Sequence, residues 1–201
     1  MTIRQSGVFF ISACVLALPC AVHAGLVEIT FEARIDQIAD QGNGPSIDGL
    51  EELNVGDPFI ISFVLDDEAP DQSSLPGFGV YDLISGTMTL GSFHFAASTG
   101  QLVVEPNESV LDDALFLSDD WSPGPTQAGV RLDGVNAIDT DDILTMIDLD
   151  LWPFVSNQAL FGDLFVIGIV DRVTTTPIPA PATLAGLVIP LFTTRRRVRM
   201  A

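Results

Sequence analysis

A strict alternation of apolar and polar residues near the start of the chain constrains its fold more than any other feature. In the stretch GLVEITFEARI, residues 25–35, apolar side chains occupy every second position from Val27 to Ile35. The positions between them hold Glu, Thr and Arg. A period of two over this length predicts a β-strand that is buried on one face and exposed to water on the other.

Seven further segments are short, rich in apolar residues and bounded by turn-forming residues. They are FIISFVL (59–65), GTMTLGSFHF (86–95), QLVVE (101–105), DALFL (113–117), GVRLD (129–133), DILTMIDLDLW (142–152) and DLFVIGIV (163–170). This organisation predicts an all-β fold, which we expect to be an antiparallel β-sandwich of the jelly-roll or immunoglobulin-like kind. A helix at about 142–151 is the alternative for one of these segments, because Ile143, Met146, Ile147 and Asp150 have helical spacing, but the apolar alternation there favours a strand.

The N-terminus has the three parts of a secretory signal peptide. Arg4 supplies a positive charge, residues 8–18 form an apolar core, and small residues precede Ala24. We therefore expect export and cleavage between Ala24 and Gly25. The alternatives are an uncleaved membrane anchor, for which the apolar run is short, and a lipoprotein cut before Cys20.

The region between the two ends is strongly acidic. All 27 Asp and Glu residues lie between Glu28 and Asp171, while only three of the eight arginines fall in this central region and the chain has no lysine. Such a charge opposes binding to nucleic acid and to anionic lipid surfaces. Both cysteines, Cys14 and Cys20, belong to the signal peptide, so a disulfide cannot stabilise the mature domain.

The residue types needed for catalysis are scarce in the mature chain. It has no cysteine nucleophile, its one histidine is His94 in a predicted strand, and no G-x-S-x-G motif occurs. Paired carboxylates, as in glycosidases, are abundant. With 27 acids some pair lies at a suitable distance in any fold, so hydrolase activity ranks last. We expect a protein that is not an enzyme.

Calcium is the one metal that the composition favours, since it binds several oxygen ligands from carboxylates and loop carbonyls. The stretches DDEAPD (66–71) and DTDD (139–142) concentrate such ligands, although neither matches an EF-hand. The alternative is that these acids are solvated surface residues without an ion. The sequence nominates Asp66, Asp67, Asp71, Asp139, Asp141 and Asp142 as calcium ligands, and we expect no other cofactor.

The sequence of the C-terminus predicts a membrane-targeting segment. Pro177, Pro179 and Pro181 favour an extended stretch, and the apolar run Ala182–Thr194 follows. As a helix this run is about 20 Å long, short of a hydrocarbon core of about 30 Å. We expect a short transmembrane helix that is stopped by a basic cluster. The cluster consists of Arg195, Arg196, Arg197 and Arg199.

This order of motif, apolar run and basic cluster resembles the PEP-CTERM sorting signal of exported proteins from Gram-negative bacteria. The stretch IPAPATL is similar to the family motif V-P-E-P-A-T-L, with Ala180 where the family has Glu. The motif residues are Pro179, Ala180, Pro181, Ala182, Thr183 and Leu184. The resemblance implies export by the Sec machinery, transient residence in the inner membrane and processing by exosortase, a membrane cysteine protease-transpeptidase. An ordinary C-terminal anchor is the alternative.

Together these features predict a signal peptide at 1–24, an acidic ectodomain at 25–176 and a sorting signal at 177–201. The resemblance implies a non-enzymatic protein of the cell surface, outer envelope or extracellular matrix, linked to exopolysaccharide and biofilm. Two alternatives remain open: a calcium-stabilised structural surface protein, or a carbohydrate-binding module. The latter needs exposed aromatic side chains, for which the candidates are Tyr81, Trp121 and Trp152.

Overall fold

A computed structural model describes residues 25–40, 49–105, 112–121, 123–134, 143–145 and 147–179 of the 201-residue chain. Regular structure in these ranges is β-strand, apart from a 3-10 turn at Leu50–Glu52. The described chain has nine strands: β1 (Leu26–Asp40), β2 (Pro58–Asp66), β3 (Gly79–Leu90), β4 (Phe93–Ala97), β5 (Gly100–Glu105), β6 (Asp112–Ser118), β7 (Gln127–Gly134), β8 (Phe154–Phe161) and β9 (Leu164–Pro177).

Eight of these strands form a closed antiparallel barrel with an up-and-down order. Around the barrel the hydrogen-bonded neighbours are β1, β2, β3, β5, β6, β7, β8 and β9, and β9 returns to pair with β1. Successive barrel strands are therefore joined as hairpins along the sequence. β4 forms a ladder with β3 alone and lies outside the closed ring.

The predicted β-sandwich is wrong, because β1 and β9 pair with each other. Their ladder runs from Val27–Pro177 to Asp40–Leu164. This pairing joins the two edges of the sheet, so the strands enclose one interior instead of forming two packed sheets. Period-two alternation is the same in both folds, since one face of each strand is buried either way. The pattern therefore could not distinguish the barrel from the sandwich.

Apolar side chains from all eight barrel strands fill the interior. Phe31, Phe63 and Phe116 form its centre and are fully buried. The ring centroids of Phe31 and Phe116 are 5.2 Å apart, and those of Phe63 and Phe116 are 5.7 Å apart. An eight-stranded barrel is just wide enough for its own side chains to fill it, so this interior is a packed core.

One end of the barrel is closed by aromatic side chains from the connections and from β4. Trp121 follows β6, and its indole Nε1–H donates to the carbonyl oxygens of Ser118 (2.9 Å) and Ala128 (3.3 Å). At the same end the rings of Phe95 and Phe161 are 5.6 Å apart. These contacts bury the tryptophan with its N–H satisfied, as a buried indole requires.

The polar side chain of Asn157 on β8 points into this core. It is 0% exposed, and its Nδ2 donates to the carbonyls of Phe31 (3.1 Å) and Phe59 (2.7 Å) on β1 and β2. Its neighbour on β9 is Gly168, where a Cβ would lie 2.8 Å from the carbonyl oxygen of Arg34. The Asn157 amide therefore links β8 to β1 and β2, across the intervening strand β9.

The predicted strand 86–95 is in fact a hairpin. β3 turns at Gly91 and Ser92 into β4, and Gly91 has a φ of 57°, which favours glycine. β4 and β5 continue along β3 in a single register, with Gly86 opposite Ala97 and Leu83 opposite Gly100.

The predicted strand 142–152 is also wrong, and β8 was missed. Residues 143–145 and 147–152 form turns and irregular backbone whose apolar side chains pack against the core without entering the sheet. β8 has the sequence FVSNQALF, in which Asn157 and Ala159 occupy inward positions. A polar and a small residue at inward positions weaken the apolar alternation by which the other strands were recognised.

The prediction of a flanking transmembrane helix also needs correction. The described chain contains strands and one 3-10 turn, and it has no helix long and apolar enough to cross a membrane. The run Ala182–Thr194, on which that helix was placed, lies outside the described residues.

Candidate functional site

The barrel wall has an opening between β8 and β9. The ladder between these strands extends as far as Ser156–Ile169 and stops there. β9 continues to Pro177, and over this length it pairs only with β1. From Val170 onward, the edge of β9 that faces β8 therefore has no strand partner within the described ranges.

A β-bulge sets the direction of the side chains along this unpaired edge. Arg172 is opposite Glu32 and Val170 is opposite Ala33, so Asp171 is an extra residue on β9. A bulge shifts the alternation of side chains and re-aims those near it. As a result, Asp171 and Arg172 are consecutive and both exposed.

Backbone groups of Val173 and Thr175 point into the opening. The N–H of Ile178 donates to the carbonyl of Leu26 at 2.8 Å, which fixes the phase of the ladder between β9 and β1. Hydrogen bonding in an antiparallel ladder alternates from one residue to the next. Every second residue from Ile178 back to Arg172 therefore bonds to β1, and Val173 and Thr175 direct their N–H and C=O groups to the other side.

The opening is a groove of about 770 Å³ with largely apolar walls. One wall is β9 from Asp171 to Thr175, and the other is a covering segment, residues 143–145 and 147–152, which precedes β8. The covering segment contributes the apolar side chains of Leu144, Ile147, Leu149, Leu151 and Trp152.

A turn centred on Asp148 shapes the covering segment. The Asp148 carbonyl accepts from the N–H of Leu151 at 3.0 Å, and its Oδ1 accepts from the N–H of Asp150 at 3.0 Å. Aspartate commonly stabilises a turn in this way, by bonding the backbone two residues further on. Trp152 is only 4% exposed and anchors the segment in the core, whereas Leu151 is 52% exposed in the groove.

The charged groups of the groove lie at its rim. Asp148 and Asp171 are exposed, and Arg172 is the one cation among the described residues that line the groove. Arg172 Nη1 lies 3.6 Å from Glu32 Oε1, and the two side chains are 68% and 38% exposed. An ion pair this open to water contributes little to stability, so these charges stay available to a partner.

A second depression, of about 350 Å³, is polar and lies on the outer face of β3, β5, β6 and β7. Its lining includes Asp82, Gln101 and Ser118. Asp82 accepts a hydrogen bond from Gln72, and Ser118 Oγ donates to the carbonyl of Thr99 at 2.6 Å. Polar groups that already bond each other gain less from a ligand, which makes the groove at β9 the better candidate site.

Of the calcium ligands predicted at the end of β2 and in the loop after it, Asp66 and Asp71 accept hydrogen bonds from nearby backbone N–H groups. Asp66 Oδ1 accepts from the N–H of Glu68 at 3.0 Å, and Asp71 Oδ1 accepts from the N–H groups of Val80 and Ser73, each at 2.8 Å. The bonds from Val80 and Ser73 hold the pKa of Asp71 below its ordinary value.

The described ranges contain no group of three or more His, Cys, Asp or Glu side chains that could hold a metal ion. This search includes Asp66, Asp67 and Asp71. The other nominated ligands, Asp139, Asp141 and Asp142, lie outside the described residues. Calcium binding therefore stays a prediction.

The aromatic residues nominated for carbohydrate binding are buried. Tyr81 and Trp121 are each 5% exposed, and Trp152 is 4% exposed. Stacking on a sugar needs an open ring face, which these side chains do not offer.

The one histidine of the predicted mature chain, His94, lies on the exposed face of β4, with Nδ1 3.0 Å from Thr89 Oγ1.

The two nominated processing regions border the described domain. Ala24 lies outside the described residues, and Gly25 is the first of them. A Cβ at Gly25 would lie 2.7 Å from Asp66 Oδ1. At the other end the described chain stops at Pro179. The remaining nominated residues lie outside it: Ala180, Pro181, Ala182, Thr183, Leu184, Arg195, Arg196, Arg197 and Arg199.

Sequence reasoning missed the groove because it ended the last strand at residue 170. The run VTTT, residues 173–176, is rich in β-branched residues and could have extended that strand. The missing partner of this edge, in contrast, depends on where β8 begins and has no local signal.

No protein-family model, curated protein or solved structure matches the chain.

Proposed function

We propose that the protein is an exported, non-enzymatic protein of the cell surface or extracellular matrix, and that its barrel binds an extended peptide along β9. The observation that carries this is the juxtaposition of an apolar groove with backbone groups at Val173 and Thr175 that have no strand partner among the described residues. An extended peptide can add as a strand to an open sheet edge. Backbone bonds then supply affinity, and side-chain pockets supply specificity.

The chemistry of the groove favours binding over catalysis. Its walls are apolar, and its charged groups, Asp148, Asp171 and Arg172, are exposed to water. General acid–base catalysis depends on groups whose acidity is tuned by burial or by close charged neighbours. Exposed rim charges instead suit the recognition of a charged flank on a bound peptide.

In this proposal the C-terminal tail supplies the address of the protein. The resemblance of its motif and arginine cluster to the PEP-CTERM signal leads us to expect export by the Sec machinery and processing by exosortase. The barrel is then delivered to the outer envelope or matrix. An association with exopolysaccharide is expected from the same resemblance, and it would involve surfaces other than the buried Tyr81, Trp121 and Trp152.

The test compares two exposed apolar residues, one in the groove and one away from it. Leu151→Asp puts a charge into the groove, and Val55→Asp is the control, because Val55 is 67% exposed and does not line the groove. We expect retention of Leu151→Asp on washed cells of the native host to fall about tenfold, since burying a leucine contributes about 1.5 to 3 kcal/mol. Immunoblots of the cell and medium fractions measure it.

The control variant should be retained like the unchanged protein. Equal retention of Leu151→Asp and Val55→Asp would contradict binding through the groove. Recovery of the unchanged protein in the cytoplasm would contradict export.

A further inference from the structure

The groove at β9 has a suitable occupant in the same chain. We propose that the C-terminal stretch Ala182–Ile189 adds to β9 as an antiparallel strand and fills the groove until sorting removes it. This deepens the proposed function, on which it rests for the role of the groove. It concerns residues that lie outside the described structure, and it is argued from where the described chain stops.

The position of the chain end brings this stretch to the groove. β9 ends at Pro177, and the last described residue is Pro179, four residues beyond Thr175, where the edge of β9 has no strand partner within the described ranges. A chain that reverses direction over Pro179–Pro181 returns alongside Thr175 and then Val173. Hairpin loops of about two to five residues are the common way to join such strands, so the reversal needs no long linker.

The sequence of the stretch suits a strand that pairs with β9. Ala182–Ile189, which reads ATLAGLVI, is free of proline and lies between Pro181 and Pro190. Each of its residues therefore has an N–H to donate, which a proline would lack. In an extended conformation Leu184 and Val188 share one face, and Leu187 and Ile189 share the other. Both faces are apolar, which suits a groove whose walls are largely apolar.

The charges of the two partners are complementary. The rim of the groove carries Asp148 and Asp171, and the domain holds 27 acids. The tail beyond the apolar run carries a cluster of cations: Arg195, Arg196, Arg197 and Arg199. Attraction between an acidic surface and a basic segment favours docking and weakens as salt is added.

Docking in the same molecule also has an entropic advantage over the binding of a free peptide. A short connection gives the tail a local concentration in the millimolar range, so a weak strand pairing suffices to keep the groove occupied. Cleavage within the tail then removes this internal competitor. The groove becomes available to an extended peptide of a partner only after the protein has been sorted.

The test uses the whole mature chain, residues 25–201, with a matched pair of double substitutions. Ala185→Pro with Gly186→Pro removes two consecutive N–H groups, one of which must face β9, because donors alternate along a strand. Ala185→Gly with Gly186→Ala keeps both N–H groups and serves as the control. Amide hydrogen exchange at Val173 and Thr175, followed by NMR, measures the occupancy of the edge.

We expect these two amides to exchange slowly in the unchanged chain and in the control, and about tenfold faster or more in the proline variant. Equal exchange in all three proteins would overturn the docking. Protection that rises with protein concentration, together with a dimer in size-exclusion chromatography, would assign the groove to a second copy and also overturn the proposal.

The outcome is independent of the retention experiment on cells. If the amides are protected but Leu151→Asp is retained normally, the tail docks and the proposed binding function fails. If the amides exchange freely but Leu151→Asp is lost from the surface, the groove binds an external partner and the docking of the tail fails.

Discussion

At the residue scale, Asn157 is a fully buried polar side chain that links β8 to two other strands of the barrel. Its Nδ2 bonds two backbone carbonyls on β1 and β2, while its Oδ1 accepts no hydrogen bond from the described residues. Buried polar groups are kept where their bonds hold neighbouring strands in one arrangement. Gly168, opposite it on β9, has no room for a side chain, because a Cβ there would lie 2.8 Å from the carbonyl oxygen of Arg34.

Asn157→Asp tests this bridge, with Gln158→Glu as the control on the outer face of the same strand. A carboxylate cannot donate to the carbonyls of Phe31 and Phe59 and would be buried beside them, so we expect a loss of about 3 kcal/mol or more at pH 7. Gln158 is partly exposed and bonds Ser156 Oγ. Its change should stay within about 0.5 kcal/mol. Urea unfolding followed by tryptophan fluorescence measures both.

The pH dependence of Asn157→Asp has a definite sign. Burial raises the pKa of a carboxyl group in the folded state above its unfolded value of about 3.9. The destabilisation is therefore smallest below that unfolded value and increases as the pH rises above it, up to the folded pKa. A stability difference that is independent of pH between 3.5 and 7 would contradict a buried position.

The sequence could not have predicted Asn157, because it interrupts the apolar pattern of β8. In contrast, alternation identified the inward residues of β1 from Val27 to Ile35, and all of them are buried. The difference is physical: hydrophobic burial leaves a local periodic pattern, whereas a side chain that bonds the backbone of distant strands leaves none.

At the scale of elements, β9 is the strand that completes the fold and also forms the candidate site. Its first half pairs with β8 and β1. Among the described strands, its second half, beyond the bulge at Asp171, pairs with β1 alone. The alternation of the sequence located its first half, up to Val170. The second half of β9 was not predicted, because the extra residue at the bulge changes the phase of the apolar alternation.

Truncation from the C-terminus tests the contribution of the two halves. A chain of residues 25–179 keeps all of β9 and should unfold cooperatively on heating. A chain of residues 25–170 loses the pairs of Val27–Glu32 with β9 and exposes the side chains of Ile29 and Phe31, so it should lose its cooperative transition. Circular dichroism and calorimetry measure both, and equal melting temperatures would contradict the role of β9 in closure.

At the scale of the whole molecule, the all-β class was predictable from the sequence and the closure was not. Short strands with turn-rich connections indicate β structure, but a sandwich and a barrel differ in which strands pair at the ends of the chain. Here the decisive contact joins Val27 to Pro177, residues at opposite ends of the domain. Such non-local pairing has no local sequence signal.

Amide hydrogen exchange along β9 in the chain of residues 25–179, resolved by NMR, tests the closed barrel and its open groove together. We predict slow exchange at Arg172, Thr174 and Thr176, which bond to β1, and fast exchange at Val173 and Thr175, which face the groove. Uniformly fast exchange along the whole of β9 would contradict the account, because the last strand would then not be paired with the first.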